Sequence, residues 1–248
     1  MIKGKIENTF ASLENISKSF GKINALNNVN IDIEKNKITA IVGDNGSGKS
    51  TLIKILSGSL KPDSGNIYID GENYKYLTPK LAHEKGISTV YQDLSLDNYR
   101  DVSGNIFLGR ELTKYGFILD YERMEDETET LLKDLDIHIP YFKTPVGYLS
   151  GGQRQSVAIA RAIFQGKNLI IFDEPTAAMG VKETKATNEL IKSLPDRGFT
   201  VLVISHDMHQ VLHLADRIFI MEHGEIIDNV SKTNITVMDL MERISNGS

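Results

Sequence analysis

Three short runs of this chain are apolar almost without interruption: Ile38-Thr39-Ala40-Ile41-Val42, Leu169-Ile170-Ile171-Phe172 and Thr200-Val201-Leu202-Val203-Ile204. Each suits a strand covered on both faces, as at the centre of a parallel sheet. Elsewhere apolar and polar residues alternate, from Val29 to Ile33 and again from Asn66 to Gly71 after the turn Lys61-Pro62-Asp63-Ser64-Gly65. That alternation predicts half-buried strands of a small antiparallel sheet. Gly86 to Asp93 reads as a further strand, with Gln92 where it ends. Helical spacing appears at Leu52, Ile53, Ile55 and Leu56, at Tyr121, Met124, Thr128, Leu131, Leu132 and Leu135, and at Val157, Ile159, Ala160, Ala162 and Ile163. A hairpin from Arg217 to Val230, turning at Gly224, and a short helix with Val237, Leu240, Met241 and Ile244 close the chain. The pattern predicts an α/β fold in one domain over residues 1–248. A mainly parallel core with an antiparallel β subdomain takes about 1–92 and 151–248, and a helical subdomain is inserted at about 93–150.

The first apolar run leads into Gly43-Asp44-Asn45-Gly46-Ser47-Gly48-Lys49-Ser50-Thr51, which reads Gly-x-x-x-x-Gly-Lys-Ser between a strand and a helix. Glycines let the backbone turn sharply and approach a ligand, so successive N–H groups point inward beside the positive end of a helix dipole. This is a phosphate cradle. Lys49 is placed to reach the β- and γ-phosphates, and the Ser50 hydroxyl suits Mg²⁺, a hard cation that takes oxygen ligands.

The second apolar run ends in Asp173-Glu174. Ligands of open α/β sheets bind beyond the carboxyl ends of the strands, so both carboxylates are expected at the phosphate site rather than as solvated turn acids before Pro175. Side chains of neighbouring strand residues point opposite ways, which suggests separate roles: Asp173 for the metal, Glu174 for an attacking water. The third run delivers His206 and Asp207. His206, His209 and His213 have a helical spacing that a metal site could use, but no carboxylate or thiolate set completes it.

Three features stay open on the residues alone. Leu149-Ser150-Gly151-Gly152-Gln153-Arg154-Gln155 is a second glycine-rich helix start, readable as an anion site or as a plain cap. Phe20 in Lys18-Ser19-Phe20-Gly21 reads more readily as a core aromatic than as a stacking surface. The acids Glu122, Glu125, Asp126, Glu127 and Glu129 read as a solvated helix face before a metal or partner site.

Composition narrows the classes. With 248 residues, 40% of them hydrophobic, the chain can bury a core without staples, and having no cysteine it has neither disulfides nor thiolate metal sites. A net charge of −5 argues against a nucleic-acid footprint. Met1 to Glu7 lacks the apolar stretch of a signal peptide, and no apolar run approaches the roughly 18–20 residues of a membrane helix. Work at a membrane would need a partner that spans it.

Together these residues resemble the nucleotide-binding subunit of ATP-binding cassette transporters, from Ala11 to Val230 and with the motifs in the family's order. The resemblance implies a P-loop NTPase with a RecA-like core that binds ATP and Mg²⁺. It makes Phe20 the aromatic that stacks on adenine, Gly43 to Thr51 the Walker A loop, Gln92 the Q-loop residue and Leu149 to Gln155 the signature. Leu169 to Asp173 become Walker B, Glu174 the catalytic carboxylate and His206 the switch histidine. Expected catalytic residues are then Lys49, Gln92, Glu174 and His206; Ser50, Gln92 and Asp173 are expected at the metal, and Ser150, Gly151, Gly152 and Gln153 at the nucleotide of a second chain in a head-to-tail homodimer.

One departure is Gly180, where most cassettes carry the D-loop Asp. That variant, with Val90-Tyr91-Gln92-Asp93-Leu94 and Asn105-Ile106-Phe107-Leu108-Gly109-Arg110-Glu111, is similar to the single-cassette members among bacterial monosaccharide importers of the ribose, xylose and fructose type. Such a resemblance implies a peripheral subunit on the cytoplasmic face of the cell membrane. Its partners would be permease subunits and, through them, an extracytoplasmic sugar-binding protein, with no nucleic acid. The alternatives are a cassette for another solute, a soluble cassette acting on nucleic acid or ribosomes, and a nucleotide-gated module without turnover.

Overall fold

The computed structural model describes residues 8–177 and 179–246. Met1 to Glu7, and Ala178 in the D-loop stretch, lie outside the described residues.

The chain opens with strands β1 (Thr9–Phe20), β2 (Ile23–Glu34) and β3 (Ile38–Val42), and β3 runs through the glycine loop into helix α1 (Lys49–Leu56). Then come β4 (Ser64–Ile69), β5 (Glu72–Tyr74), α2 (Pro79–Glu84) and β6 (Ile87–Val90). The inserted segment holds α3 (Val102–Ile106), β7 (Thr113–Lys114), β8 (Ile118–Leu119) and α4 (Tyr121–Asp134). The core resumes with α5 (Gly151–Gln165), β9 (Leu169–Asp173), α6 (Val181–Ser193), β10 (Thr200–Ile204), α7 (Met208–Leu214), β11 (Arg217–Glu222), β12 (Glu225–Ser231) and α8 (Val237–Asn246).

Six strands form the main sheet in the order β12-β11-β3-β10-β9-β6. All neighbours are parallel except β12, which returns antiparallel along β11. The three apolar runs sit side by side in register, Ile204 opposite both Ile41 and Asp173, so their carboxyl ends finish level at one edge. Alternate residues of these strands feed two cores. Ile38, Ala40, Val42, Ile170, Phe172, Val201 and Val203 share a core with α5, α6, α7 and α8, which the inserted helices extend, whereas Ile41, Leu169, Ile171, Leu202 and Ile204 face α1 and the second sheet. Burial on both faces is why these strands carry no polar alternation.

The second sheet is antiparallel, β2-β1-β4-β5, and the alternation from Val29 to Ile33 is borne out: Val29, Ile31 and Ile33 are buried and Asn30 is exposed. In the inserted segment α4 buries Met124, Thr128 and Leu132, the helical spacing expected there. Its apolar face joins the same core as the parallel sheet. The segment is not purely helical, however. Residues 113–119 form a two-stranded hairpin with a left-handed turn at Tyr115 (φ 56°) and Gly116 (φ 84°), too short for any periodicity to register.

Candidate functional site

The glycine loop follows β3 directly and is fixed by close backbone approach. A Cβ on Gly43 would lie 2.0 Å from the Met221 carbonyl oxygen, and one on Gly48 (φ +111°) would lie 2.4 Å from that of Ala25. No side chain fits at either position. The turn between β11 and β12 braces the loop: Gly224 N–H donates to the Ser47 carbonyl at 2.9 Å, and Asn27 N–H donates to the Gly224 carbonyl at 2.8 Å. Helix α1 begins at Gly48 with no side-chain cap, so the amides of its first turn are left for another acceptor. The buried Lys49 ammonium donates to the carbonyls of Gly43 and Asp44, both at 2.7 Å. Burial pulls its pKa below the ordinary lysine range, against the opposing charges of Glu174, Asp44 and Asp173.

Over this loop lies a cleft lined by Asn45, Gly46, Gly48, Lys49, Ser50 and Thr51, by Gln92 beyond β6, and by Asp173 and Glu174 at the end of β9. The β2 residues Ile23, Asn24 and Ala25 close one side. The carboxyl of Asp173 is pushed above the usual carboxylate range by burial, then by the neighbouring Glu174 charge, with Lys49 and Lys54 pulling the other way.

Glu174 corrects the alternation argument. Its backbone is left-handed (φ 51°) and its N–H donates to the Ile204 carbonyl at 2.9 Å, so it has left the strand geometry, and both acids line the same cleft. Its Oε1 lies 2.8 Å from His206 Nδ1. Of that pair the carboxylate is shielded, 16% exposed, and the imidazole is 68% exposed. The other histidines do not join it: His213 Nε2 lies 3.2 Å from Glu189, and the His209 N–H donates to Asp207.

The remaining expected residues lie apart from the cleft wall. Gly43 and Ser47 are buried beneath it and Asp44 is exposed beside it. Phe20 is half exposed, which overturns the core reading; it pairs across the hairpin with Ile23, which does line the cleft. Ser150, Gly151, Gly152 and Gln153 are not part of the wall. They begin α5 with a complete capping box: Gln153 N–H donates to Ser150 Oγ at 3.2 Å, and Ser150 N–H donates to Gln153 Oε1 at 3.0 Å. Gly180 starts α6, and Glu183 fills the space beside it, with Oε2 2.6 Å from where a Cβ would stand. Ile23, Asn24 and Ala25 had no signal in sequence, and Gly224 signalled only a hairpin turn, because their roles at the site arise from where a neighbouring strand and turn pack.

A buried lysine and uncapped helix amides, faced by two carboxylates and a glutamine at the carboxyl edge of a parallel sheet, define the class of P-loop nucleoside triphosphatases. Residues 26–177 match the ABC transporter family, and the chain belongs to it as an ATP-binding cassette with ATPase activity. It is 42% identical to the xylose/arabinose import ATP-binding protein XylG of Sulfolobus acidocaldarius, over 93% of this chain and 91% of that one. It is 40% identical to the fructose import ATP-binding protein FrcA of Rhizobium meliloti, over 90% and 88% respectively. Among solved structures, a dimeric ATP-binding cassette in a post-hydrolysis state with ADP and Pi superimposes with a TM-score of 0.77 at 30% identity, covering 91% of this chain and 100% of that one.

Proposed function

We infer that this chain is the ATP-hydrolysing subunit of a membrane importer for a monosaccharide. The observation that carries the reading is the cleft in which Lys49, Ser50, Gln92, Asp173 and Glu174 converge, with His206 bonded to Glu174. The chemistry is mostly positioning and charge stabilisation. Lys49 and the loop amides hold the phosphates, exchanging the ammonium's present carbonyl partners for phosphate oxygens. Glu174 orients and polarises the attacking water, and His206 fixes that carboxylate and reaches the γ-phosphate. Ser50, Gln92 and Asp173 offer three oxygen donors on one wall, the hard set that Mg²⁺ takes, and a cation there offsets the unfavourable ionisation of Asp173. The ion when bound neutralises charge on the phosphates. Phe20, beside Ile23, is the surface for adenine.

In the proposed arrangement this open cleft of about 240 Å³ is half of the site. The second half is Ser150, Gly151, Gly152 and Gln153 of another copy in a head-to-tail homodimer, and the dimeric cassette with ADP and Pi supports that arrangement by analogy. No helix among the described residues is long and apolar enough to cross a membrane. Permease subunits therefore carry the solute, and this chain binds them at the cytoplasmic face. A groove between core and insert, lined by His83, Thr89, Tyr91, Ser95, Leu108 and Arg161, suits a short helix of that partner. The cargo class follows from the sugar-import relatives, with an extracytoplasmic sugar-binding protein supplying it.

The test is to tag the chain in its own cells, solubilise membranes gently and identify what co-purifies. A multi-span permease with a sugar-binding protein is expected. Ribosomal or nucleic-acid-bound proteins alone would overturn the reading, and a permease without a binding protein would point to export.

A further inference from the structure

The hairpin β7–β8 is the most exposed apolar feature among the described residues. Tyr115 is 88% exposed, Phe117 79%, Ile118 51% and Leu119 41%. Its strands pair only with each other. An isolated two-stranded hairpin is marginally stable in water, and clustered apolar side chains in water mark a surface that something covers. Its base is nevertheless held: Asp120 N–H donates to the Leu112 carbonyl at 2.8 Å, and the Lys114 ammonium lies 3.1 Å from Asp120. The hairpin is presented to solvent from a fixed foot.

Charge identifies what covers it. Residues 111–136, the hairpin with α4, contain nine acidic and three basic residues, net −6, while the whole chain is −5, which leaves the remainder at +1. The chain's negative charge is concentrated in the hairpin and α4, with Lys143 and Arg100 from outside the stretch pairing with Glu125 and Glu111. We propose that this hairpin and the acidic face of α4 form a second docking surface for the membrane permease, one that takes a Lys/Arg-rich cytoplasmic loop alongside the groove between core and insert. The proposal rests on the reading that such a partner exists. Cytoplasmic loops of membrane proteins carry an excess of Lys and Arg, the complement of this surface. An anionic lipid leaflet would be repelled by it, and a second copy of the chain would set −6 against −6. The surface also continues the groove, because the Arg110 guanidinium, three residues before β7, bonds to His83 of the groove wall.

The test places a photo-crosslinking amino acid at Phe117, and separately at Thr89 in the groove, in the full chain in its own cells. Crosslinked peptides are then identified by mass spectrometry. The proposal expects both positions to label one membrane protein, Phe117 at a Lys/Arg-rich cytoplasmic loop. Labelling by Thr89 with none from Phe117, or with only lipid or a second copy from Phe117, would overturn it and leave the importer reading standing. If neither position labels a membrane protein, both fall. As a second readout, Phe117→Ser with Ile118→Ser should leave ATP hydrolysis by the isolated chain unchanged while weakening permease binding about ten-fold, the scale of one interface anchor. Unchanged binding would count against the surface.

Discussion

Helices α1 and α5 both start in glycine-rich turns, yet α1 begins at Gly48 with no side-chain cap, whereas α5 begins at Ser150 with both halves of a capping box made. The first end keeps its donors for a ligand and turns the Lys49 ammonium back onto its own loop until one arrives. The second secures its own turn, leaving an exposed Gly151 with open space around it. One end is a cradle that cannot accept a side chain at Gly43 or Gly48; the other is a capped platform where Gly151 has room for one, although a Cβ on Gly152 would stand 2.5 Å from Glu183 Cγ. In the proposed dimer, the platform of one copy closes the cradle of the other, so the glycines at the two ends have different reasons for being there.

The largest effect should come at the cradle. Glu174→Gln should bind ATP but lose about 10²–10⁴-fold in phosphate release, the usual worth of general-base help; near-normal turnover would remove Glu174 from its role. Next, Gly48→Ala should strain the loop by about 1–3 kcal/mol, since φ is +111° and the new carbon would meet the Ala25 carbonyl at 2.4 Å. Gly151→Ala, with nothing within 4 Å, should leave thermal stability within about 0.5 kcal/mol of wild type. Equal losses in a denaturant titration would erase the contrast between the two ends.

Ser150→Ala should cost about 1 kcal/mol by removing the cap of α5, which thermal unfolding would register as roughly 2–4 °C. The smallest effect on stability is at Asp173. Its folded-state pKa is raised, so the folded chain holds the proton more tightly than the unfolded chain does. Asp173→Asn should therefore match wild type at acid pH and become the more stable ligand-free protein as pH rises through that raised value, while losing Mg²⁺-dependent turnover. A neutral-pH stability at or below wild type would contradict the sign.

Much of this was legible in residue order. The unbroken apolar runs gave away a sheet buried on both faces, and the Gly-Lys-Ser text marked the cradle at its edge. Ser150 and Gln153 stand three apart, the spacing of a capping box, so the start of α5 is marked in sequence. What escaped depended on backbone geometry or on packing between distant segments. The left-handed turn at Glu174 brings it to the same cleft as Asp173, against the strand alternation that local reasoning uses. Phe20 is apolar but sits at a hairpin end beside Ile23, where no second layer covers it. The tip at residues 113–119 has no periodic signal, because two strands of two residues are shorter than any repeat.

The central claim, a composite site made by two copies, is tested most directly by the mass of the Glu174→Gln protein in solution, measured by light scattering with and without MgATP. One chain weighs 27.6 kDa. The account predicts that saturating ATP doubles that mass and that adding Gly151→Arg to the variant returns it to a single chain. A mass that stays at one chain with ATP bound, or a dimer indifferent to Gly151→Arg, would contradict it.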